Sequence, residues 1–320
     1  MLTYPEFDPV AIQLGPLAVT WYALSYITGL LLGWWLLVRM LRQRSLWKNP
    51  PFSGKPPATA DDIGDLFVWT TLGVVIGGRL GYDIFYGMFY CGFWPDGRDC
   101  GGLPMDYWRN PFNLIAHWSP GQLHLLGYTI DIWVPRLYGM SFHGGLIGVA
   151  AAIVLFCRKR KLNLYTVGDL VASATPIGLF FGRIANFVNG ELWGKVTDSS
   201  FCMVFCNQTI IDHFGRCPAG TAPRYPSQLF EATLEGALLF AVLQIAIRKF
   251  RLHEQPGLII GIFFTGYGLA RAFSEFFRDS ESMLVGWFSM GMLLSIPMWA
   301  AAAFFFWVAL KKPSWARFSK

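Results

Sequence analysis

Residues 286–309 read GWFSMGMLLSIPMWAAAAFFFWVA, a run of 24 positions without a charged side chain. A helix of roughly 20 mostly apolar residues crosses a bilayer core, so this run predicts a transmembrane helix. The rest of the chain has the same character, because 54% of its residues are hydrophobic and only 14% are charged. Soluble domains normally carry about 25% charged residues. The sequence therefore predicts an all-α polytopic membrane protein.

Seven segments in all are long and apolar enough to span a membrane, within a single integral membrane domain covering residues 1–320. Two long polar segments separate some of them, at 89–139 and 188–227. The predicted transmembrane helices cover about 17–37, 64–88, 140–157, 166–187, 228–247, 257–277 and 286–309.

The basic residues predict the orientation of these spans. Sixteen of the 26 Lys and Arg residues fall in three short loops and the tail after residue 309. Because short cytoplasmic loops collect Lys and Arg, these stretches are expected in the cytoplasm. The N-terminus and the two long segments then lie outside. The net charge of +6 is explained by topology and does not indicate a nucleic-acid partner. The basic stretches are 38–63, 158–165, 248–256 and the tail.

The cysteines follow from the same orientation. Outside segments permit oxidation, so we predict a disulfide between Cys91 and Cys100. Three more cysteines lie outside, and an odd number leaves one unpaired. Cys157, at the cytoplasmic end of a span, is expected to be reduced. The three outside cysteines are Cys202, Cys206 and Cys217.

Three arginines lie inside predicted spans, namely Arg79, Arg183 and Arg271. A charge near the bilayer centre costs at least ~2.5–3.5 kcal/mol, so some interaction must offset it. One explanation is an interior salt bridge or a side chain that reaches the interface. The other is an anion site, since a guanidinium presents a planar fork of donors that matches a phosphate. Three such residues in three spans favour the anion site.

The strongest motif is GRIANFVNGELWG, which covers 182–194. Arg183 and Asn186 are three residues apart and share a helix face. Asn189 and Glu191 follow where the helix is expected to end, and Glu191 is placed to hold Arg183. The alternative is a polar helix end without a ligand.

Two further motifs carry polar groups that suit chemistry. In YGLARAFSEFFR, Tyr267, Arg271 and Glu275 form one helical stripe, although Arg271 and Glu275 alternatively neutralise each other. In SFHGGLIG, His143 opens a span, where the helix start disfavours a positive imidazolium and favours a neutral base. Gly144 permits either close helix packing or close ligand approach. A purely structural histidine is the alternative. No His, Cys, Asp and Glu spacing implies a metal, and no cofactor is predicted.

Together these blocks resemble the bacterial prolipoprotein diacylglyceryl transferases. GRIANFVNGELWG is similar to the family's signature at every fixed position, and GGRLGY, HGGLIG, YPSQLFEA and YGLARAFSEFFR also resemble family blocks. The likeness runs in order from the first span to the last. The chain departs from the family in its longer outside segments, 89–139 and 195–224.

The resemblance implies transfer of the diacylglyceryl group of phosphatidylglycerol to the thiol of the lipobox Cys of a preprolipoprotein. It places the protein in the bacterial inner (plasma) membrane, with the active site towards the periplasm. His143 is assigned to the thiol proton, and Arg183 and Arg271 to the departing phosphate. The residues expected to bind the substrates are Tyr26, Arg79, Gly144, Asn186, Asn189, Glu191, Gly194, Tyr267 and Glu275.

Two other functions fit the residues without the resemblance. A non-enzymatic receptor or lipid carrier explains the spans, but not the many polar residues near the outer ends of separate spans. A different membrane enzyme that uses phosphatidylglycerol also fits the arginines, and only the motif resemblance argues against it.

Overall fold

We analysed a computed structural model of the full chain. It describes residues 2–8, 10–14, 17–84, 117–125, 128–136, 140–279, 283–285 and 288–311. Cys91 and Cys100, and with them the predicted disulfide, lie outside the described residues.

Long apolar helices dominate the described residues, which confirms a polytopic helical membrane protein. Six of them are long and apolar enough to cross a membrane. The segment predicted at 257–277 forms a shorter apolar helix, Leu258–Ser274, of 17 residues. The six are α1 (Trp21–Arg42), α2 (Ala60–Tyr82), α3 (Phe142–Arg160), α4 (Leu164–Val188), α6 (Ser227–Arg248) and α8 (Gly291–Lys311, within the helix Met290–Lys311).

The connecting segments carry secondary structure that the sequence did not predict. Each described strand pairs with one other strand in a two-stranded sheet. α6 contains a π-helical stretch, Ala232–Leu238, near its start. The other strands and α-helices of the described residues are β1 (Leu2–Thr3), β2 (Val10–Leu14), β3 (Leu17–Thr20), β4 (His117–Leu125), β5 (Tyr128–Arg136), β6 (Met203–Val204), α5 (Gln208–Phe214), α7 (Leu258–Ser274), β7 (Met283–Val285) and β8 (Phe288–Ser289).

The chain divides into two compact units. The first comprises residues 1–60 and 165–320, and the second comprises residues 61–164. The first unit therefore holds α1 and α4 to α8, and the second holds α2, α3 and the β4–β5 hairpin.

In the first unit, the segment after α4 folds with the N-terminus into a small lobe. β1 pairs in parallel with β6. Tyr4 is buried in an aromatic core with Phe187 and Phe205, and its hydroxyl donates to the Phe187 carbonyl oxygen, 2.8 Å away. Burial raises the pKa of Tyr4 to about 12, so the hydroxyl stays a neutral donor. The lobe holds the end of α4, where the GRIANFVNGELWG motif lies.

Cysteine pairing agrees with the sequence prediction where the structure describes it. Cys206 and Cys217 form a disulfide in the lobe. Cys202 and Cys157 are free and buried. One of the three cysteines of segment 188–227 is therefore left unpaired, as their odd number required, and Cys157 is reduced as predicted.

A buried carboxylate fixes the start of α7. Asp169 of α4 accepts hydrogen bonds from the backbone N–H groups of Gly257 and Ile260, at 2.8 and 2.9 Å. Gly257 is in the left-handed conformation, with φ of 95°, and supplies no side-chain cap of its own. Asp169 therefore caps α7 from a neighbouring helix and sets the direction in which α7 carries Arg271.

In the second unit, α2 and α3 meet through glycines. A Cβ added to Gly73 would lie 2.6 Å from the Gly148 carbonyl oxygen, and one added to Gly81 would lie 2.5 Å from the Gly144 Cα. Backbones approach this closely only where side chains are absent. Of the two functions considered for Gly144, the structure shows close helix packing.

Candidate active site: an arginine–glutamate cluster

Three helices of the first unit bring charged groups to one place. Arg183 lies near the end of α4, and Glu231 and Glu235 lie near the start of α6. Arg271 and Glu275 lie at the end of α7. Because α4 and α7 end where α6 begins, these side chains meet at the same end of the bundle.

Arg183 is held by two glutamates of α6. Its Nη1 lies 3.0 Å from Glu231 Oε2 and its Nη2 lies 3.1 Å from Glu235 Oε2. Its Nε also donates to Glu235 Oε2, at 3.2 Å. The prediction that Glu191 holds Arg183 is therefore wrong, because the ion pairs of Arg183 among the described residues reach across to α6.

Glu231 is shared by three arginines. Arg271 Nη1 donates to Glu231 Oε1 at 3.0 Å, and Arg278 Nη1 donates to the same oxygen at 3.3 Å. Arg271 Nη2 also contacts Glu275 Oε1 at 2.6 Å. The predicted pairing of Arg271 with Glu275 is thus confirmed, but it is one part of a larger network.

The acidic and the basic side chains of this network differ in how deeply they are buried. The side chains of Glu231 and Glu235 are fully buried, whereas those of Arg183, Arg271 and Arg278 remain 16–19% exposed. Three guanidinium groups face three carboxylates, so the formal charge of the cluster is zero. The glutamates hold the guanidinium groups from the inside. The arginine side chains are consequently held in place while part of each remains exposed, which suits recognition of an anion.

A second polar group adjoins the end of α4. Asn186 Nδ2 donates to Glu191 Oε1 at 2.8 Å and to the Tyr22 hydroxyl at 3.4 Å. The rings of Tyr22 and Tyr26 are 5.2 Å apart, and Tyr26 is 56% exposed. Asn186 and Glu191 thus meet at the end of α4, a contact that the sequence did not predict. Gly190, with φ of 65°, makes the turn that brings them together.

The other predicted residues of this unit lie beside the network. Tyr267 lies near Glu235, Arg183 and Arg271. Asn189 has a buried Oδ1 without a hydrogen-bond partner among the described residues. Gly194 is a packing position, because an added Cβ would lie 2.5 Å from the Phe277 carbonyl oxygen.

His143, Gly144 and Arg79 belong to the second unit. His143 is exposed in the first turn of α3, after Ser141, whose hydroxyl caps the helix by accepting from the Gly144 N–H. Arg79 is buried and contacts Asp83 at 3.2 Å. This ion pair is the structural role weighed for an arginine inside a span. The assignments of His143 and Arg79 to the reaction stay predictions.

Sequence reasoning missed Glu231, Glu235 and Arg278 as site residues. Glu231 closes the YPSQLFE block, whose proline and serine are typical of an ordinary helix start. The available signal was two glutamates four residues apart in an otherwise apolar helix, a spacing that places them on one face. Among the described residues, no group of three or more His, Cys, Asp and Glu is placed to hold a metal ion.

The fold and the cluster define an integral membrane protein with an arginine-rich polar site where α4 and α7 end and α6 begins. Comparison with known proteins makes this more specific. The profile of the prolipoprotein diacylglyceryl transferase family matches residues 9–308, and the chain belongs to this family.

Several relatives named phosphatidylglycerol–prolipoprotein diacylglyceryl transferase are similar over nearly their whole length. The one from Caulobacter vibrioides is 44% identical over 323 residues, covering 98% of this chain and 96% of the relative. The one from Rhodospirillum rubrum is 42% identical over 314 residues, covering 96% and 94%. The one from Phenylobacterium zucineum is 40% identical over 315 residues, covering 97% and 96%.

Proposed function

We propose that this protein transfers the diacylglyceryl group of phosphatidylglycerol to the lipobox cysteine of preprolipoproteins, with the arginine–glutamate cluster as the site of the donor phosphate. The cysteine sulfur forms a bond to the glycerol carbon that carries the phosphate. The bond between that carbon and the phosphate oxygen breaks, and glycerol phosphate leaves with the electron pair. The thiol proton passes to a base, for which His143 is the candidate.

The observation that carries the proposal is that buried glutamates hold arginine side chains that remain partly exposed. The donor is a phosphodiester with one negative charge, and its phosphate gains a second as the leaving group departs. A group placed before the reaction stabilises this developing charge without reorganising. Glu231 and Glu235 supply that placement for Arg183, and Glu231 and Glu275 supply it for Arg271.

The neutral charge of the cluster fits a substrate that must both bind and leave. Three unpaired arginines would hold a doubly charged product tightly. With three glutamates behind them, the arginines provide donors without a large net positive potential. Asn186, Glu191, Tyr26 and Tyr267 border the same region and are assigned to orient the donor.

The orientation proposed is seven spans, with the N-terminus outside and the C-terminus in the cytoplasm of a bacterium, in the inner membrane. α7 counts as the seventh span, because 17 residues lie at the lower end of the length that crosses a bilayer. Within the first unit, the basic loop 248–256 precedes α7 and so lies at the opposite end of that helix from Arg271 and Glu275. The site then faces the periplasm, where the oxidised pair Cys206–Cys217 also belongs.

The test is a transfer assay with purified protein, labelled phosphatidylglycerol and a synthetic lipobox peptide. We expect label on the peptide cysteine and none on a peptide in which that cysteine is serine. Binding of the lipid without transfer would support a carrier instead. Release of glycerol phosphate without the peptide would support a different lipid enzyme.

A further inference from the structure

The first turn of α8 lies against the carboxylate of Glu275. Ser289 caps this helix, because its hydroxyl oxygen accepts from the Met292 N–H at 3.3 Å. Gly291 follows two residues later. A Cβ built on Gly291 would lie 2.5 Å from Glu275 Cδ and 3.0 Å from Cγ, and closer still to Oε1. Real side chains do not approach this closely, so an alanine at this position would displace the carboxylate.

Glu275 has little freedom to move aside. Its side chain is only 2% exposed, and its Oε1 contacts Arg271 Nη2 at 2.6 Å. The start of a helix also favours a carboxylate there, because the first turn carries a partial positive charge. A methyl group on Gly291 would press on the same oxygen that holds Arg271. Because Gly291 has no side chain, the Glu275 carboxylate can stay where it orients the Arg271 guanidinium group.

We infer that Gly291 is a positioning residue for the transfer reaction, acting through Glu275 on Arg271. The inference rests on the proposed function and adds α8 to the elements that build the site. Gly291 itself touches neither substrate in this assignment. Its role is to leave the space that the Glu275 carboxylate occupies while it orients Arg271.

The test is a double-mutant cycle in the transfer assay. Gly291→Ala is expected to lower kcat at least tenfold with a smaller change in KM for the peptide. Glu275→Asp removes one methylene and withdraws the carboxylate from Gly291, so it also lowers kcat when made alone. In the double variant the shorter side chain leaves room for the new methyl group. If the two substitutions acted independently, the kcat of the double variant relative to wild type would equal the product of the relative kcat values of the single variants. We expect it to be at least threefold higher than that product.

Gly178→Ala is the matched control, since it adds the same methyl group to a helix of the same unit where nothing lies within 4 Å of it. It should keep wild-type kcat. Equal activity of Gly291→Ala and Gly178→Ala would overturn the inference, and so would additive effects in the cycle. Activities are normalised to the amount of folded protein. A single variant that accumulates poorly can therefore still be compared with the double variant. Failure of the wild-type protein to transfer label would instead overturn the proposed function.

Discussion

Replacing Arg183 with Lys keeps the charge of the cluster but removes the shape of the guanidinium group. In the structure, three nitrogens of Arg183 contact Glu231 and Glu235. A lysine has one nitrogen at the end of a flexible chain, so it cannot hold both carboxylates and also present a directed edge to a phosphate. Because the charge is unchanged, we expect Arg183→Lys to insert and accumulate.

The size of the effect follows from the hydrogen bond to the phosphate that a lysine cannot make. One charge-assisted hydrogen bond is worth about 1.5–3 kcal/mol. If that bond forms to the phosphate in the transition state, and each 1.36 kcal/mol is tenfold in rate, kcat/KM should fall about 10- to 150-fold. The measurement is transfer of label from phosphatidylglycerol to the lipobox peptide, normalised to folded protein.

Arg251→Lys is the matched control. Arg251 also makes several contacts, to Glu254 Oε1 at 2.6 Å and to the carbonyl oxygens of Ser45 and Leu46 at 2.9 and 3.1 Å. It lies before α7, away from the cluster, so its replacement should lower thermal stability but not the activity of folded molecules. If Arg183→Lys transfers lipid within about twofold of wild type, the guanidinium fork has no part in catalysis and Arg183 serves only to neutralise its glutamates.

Three further predictions concern stability and topology. Asp169→Ala removes the cap of α7 and leaves two buried N–H groups without acceptors, so unfolding in detergent should become easier by about 2–4 kcal/mol; an unchanged melting temperature would contradict the capping role. Burial lowers the pKa of His253 below 6.5 in the folded protein, so the unfolded state takes up a proton that the folded state does not, and stability should fall as the pH drops below about 6.5. His253→Gln should flatten this dependence, whereas pH profiles that run parallel in both proteins would exclude His253 as the cause. A reporter that works only in the cytoplasm should be active when fused after Lys320, and activity of a periplasm-only reporter there would reverse the proposed orientation.

The sequence predicted the helices and the residues within one helix more accurately than the contacts between helices. Arg271 and Glu275 are four residues apart, so helical geometry alone brings them together. The partners of Arg183 lie 48 and 52 residues away on α6, and only the packing of α4 against α6 selects them over the nearby Glu191. Glu231 was overlooked for a related reason. An acidic residue near the start of a helix is common, and its burial depends on the neighbouring helices.

The bounds of α7 show the same limit. The apolar pattern at 257–277 predicted a full span, but the regular helix occupies Leu258–Ser274. Its start is set by Asp169, a residue of another helix, and it ends before Arg278, whose partner Glu231 is also on another helix. Tertiary contacts therefore decide where α7 begins and ends, and these contacts are not encoded in its own periodicity.

The distribution of the cluster over three helices also constrains how the protein is made. Arg183 is synthesised 52 residues before Glu235, which at about 5–20 residues per second is a delay of roughly 3–10 s. During that interval α4 carries a membrane-embedded charge whose partners do not yet exist. The two glutamates of α6 find Arg183 already made, but Glu231 still lacks Arg271 and Arg278 until α7 is synthesised. We therefore expect α4, α6 and α7 to leave the insertion machinery as a group, and the ion pairs of the cluster to be completed last. A chain truncated before α7 should then be recognised by membrane quality-control proteases.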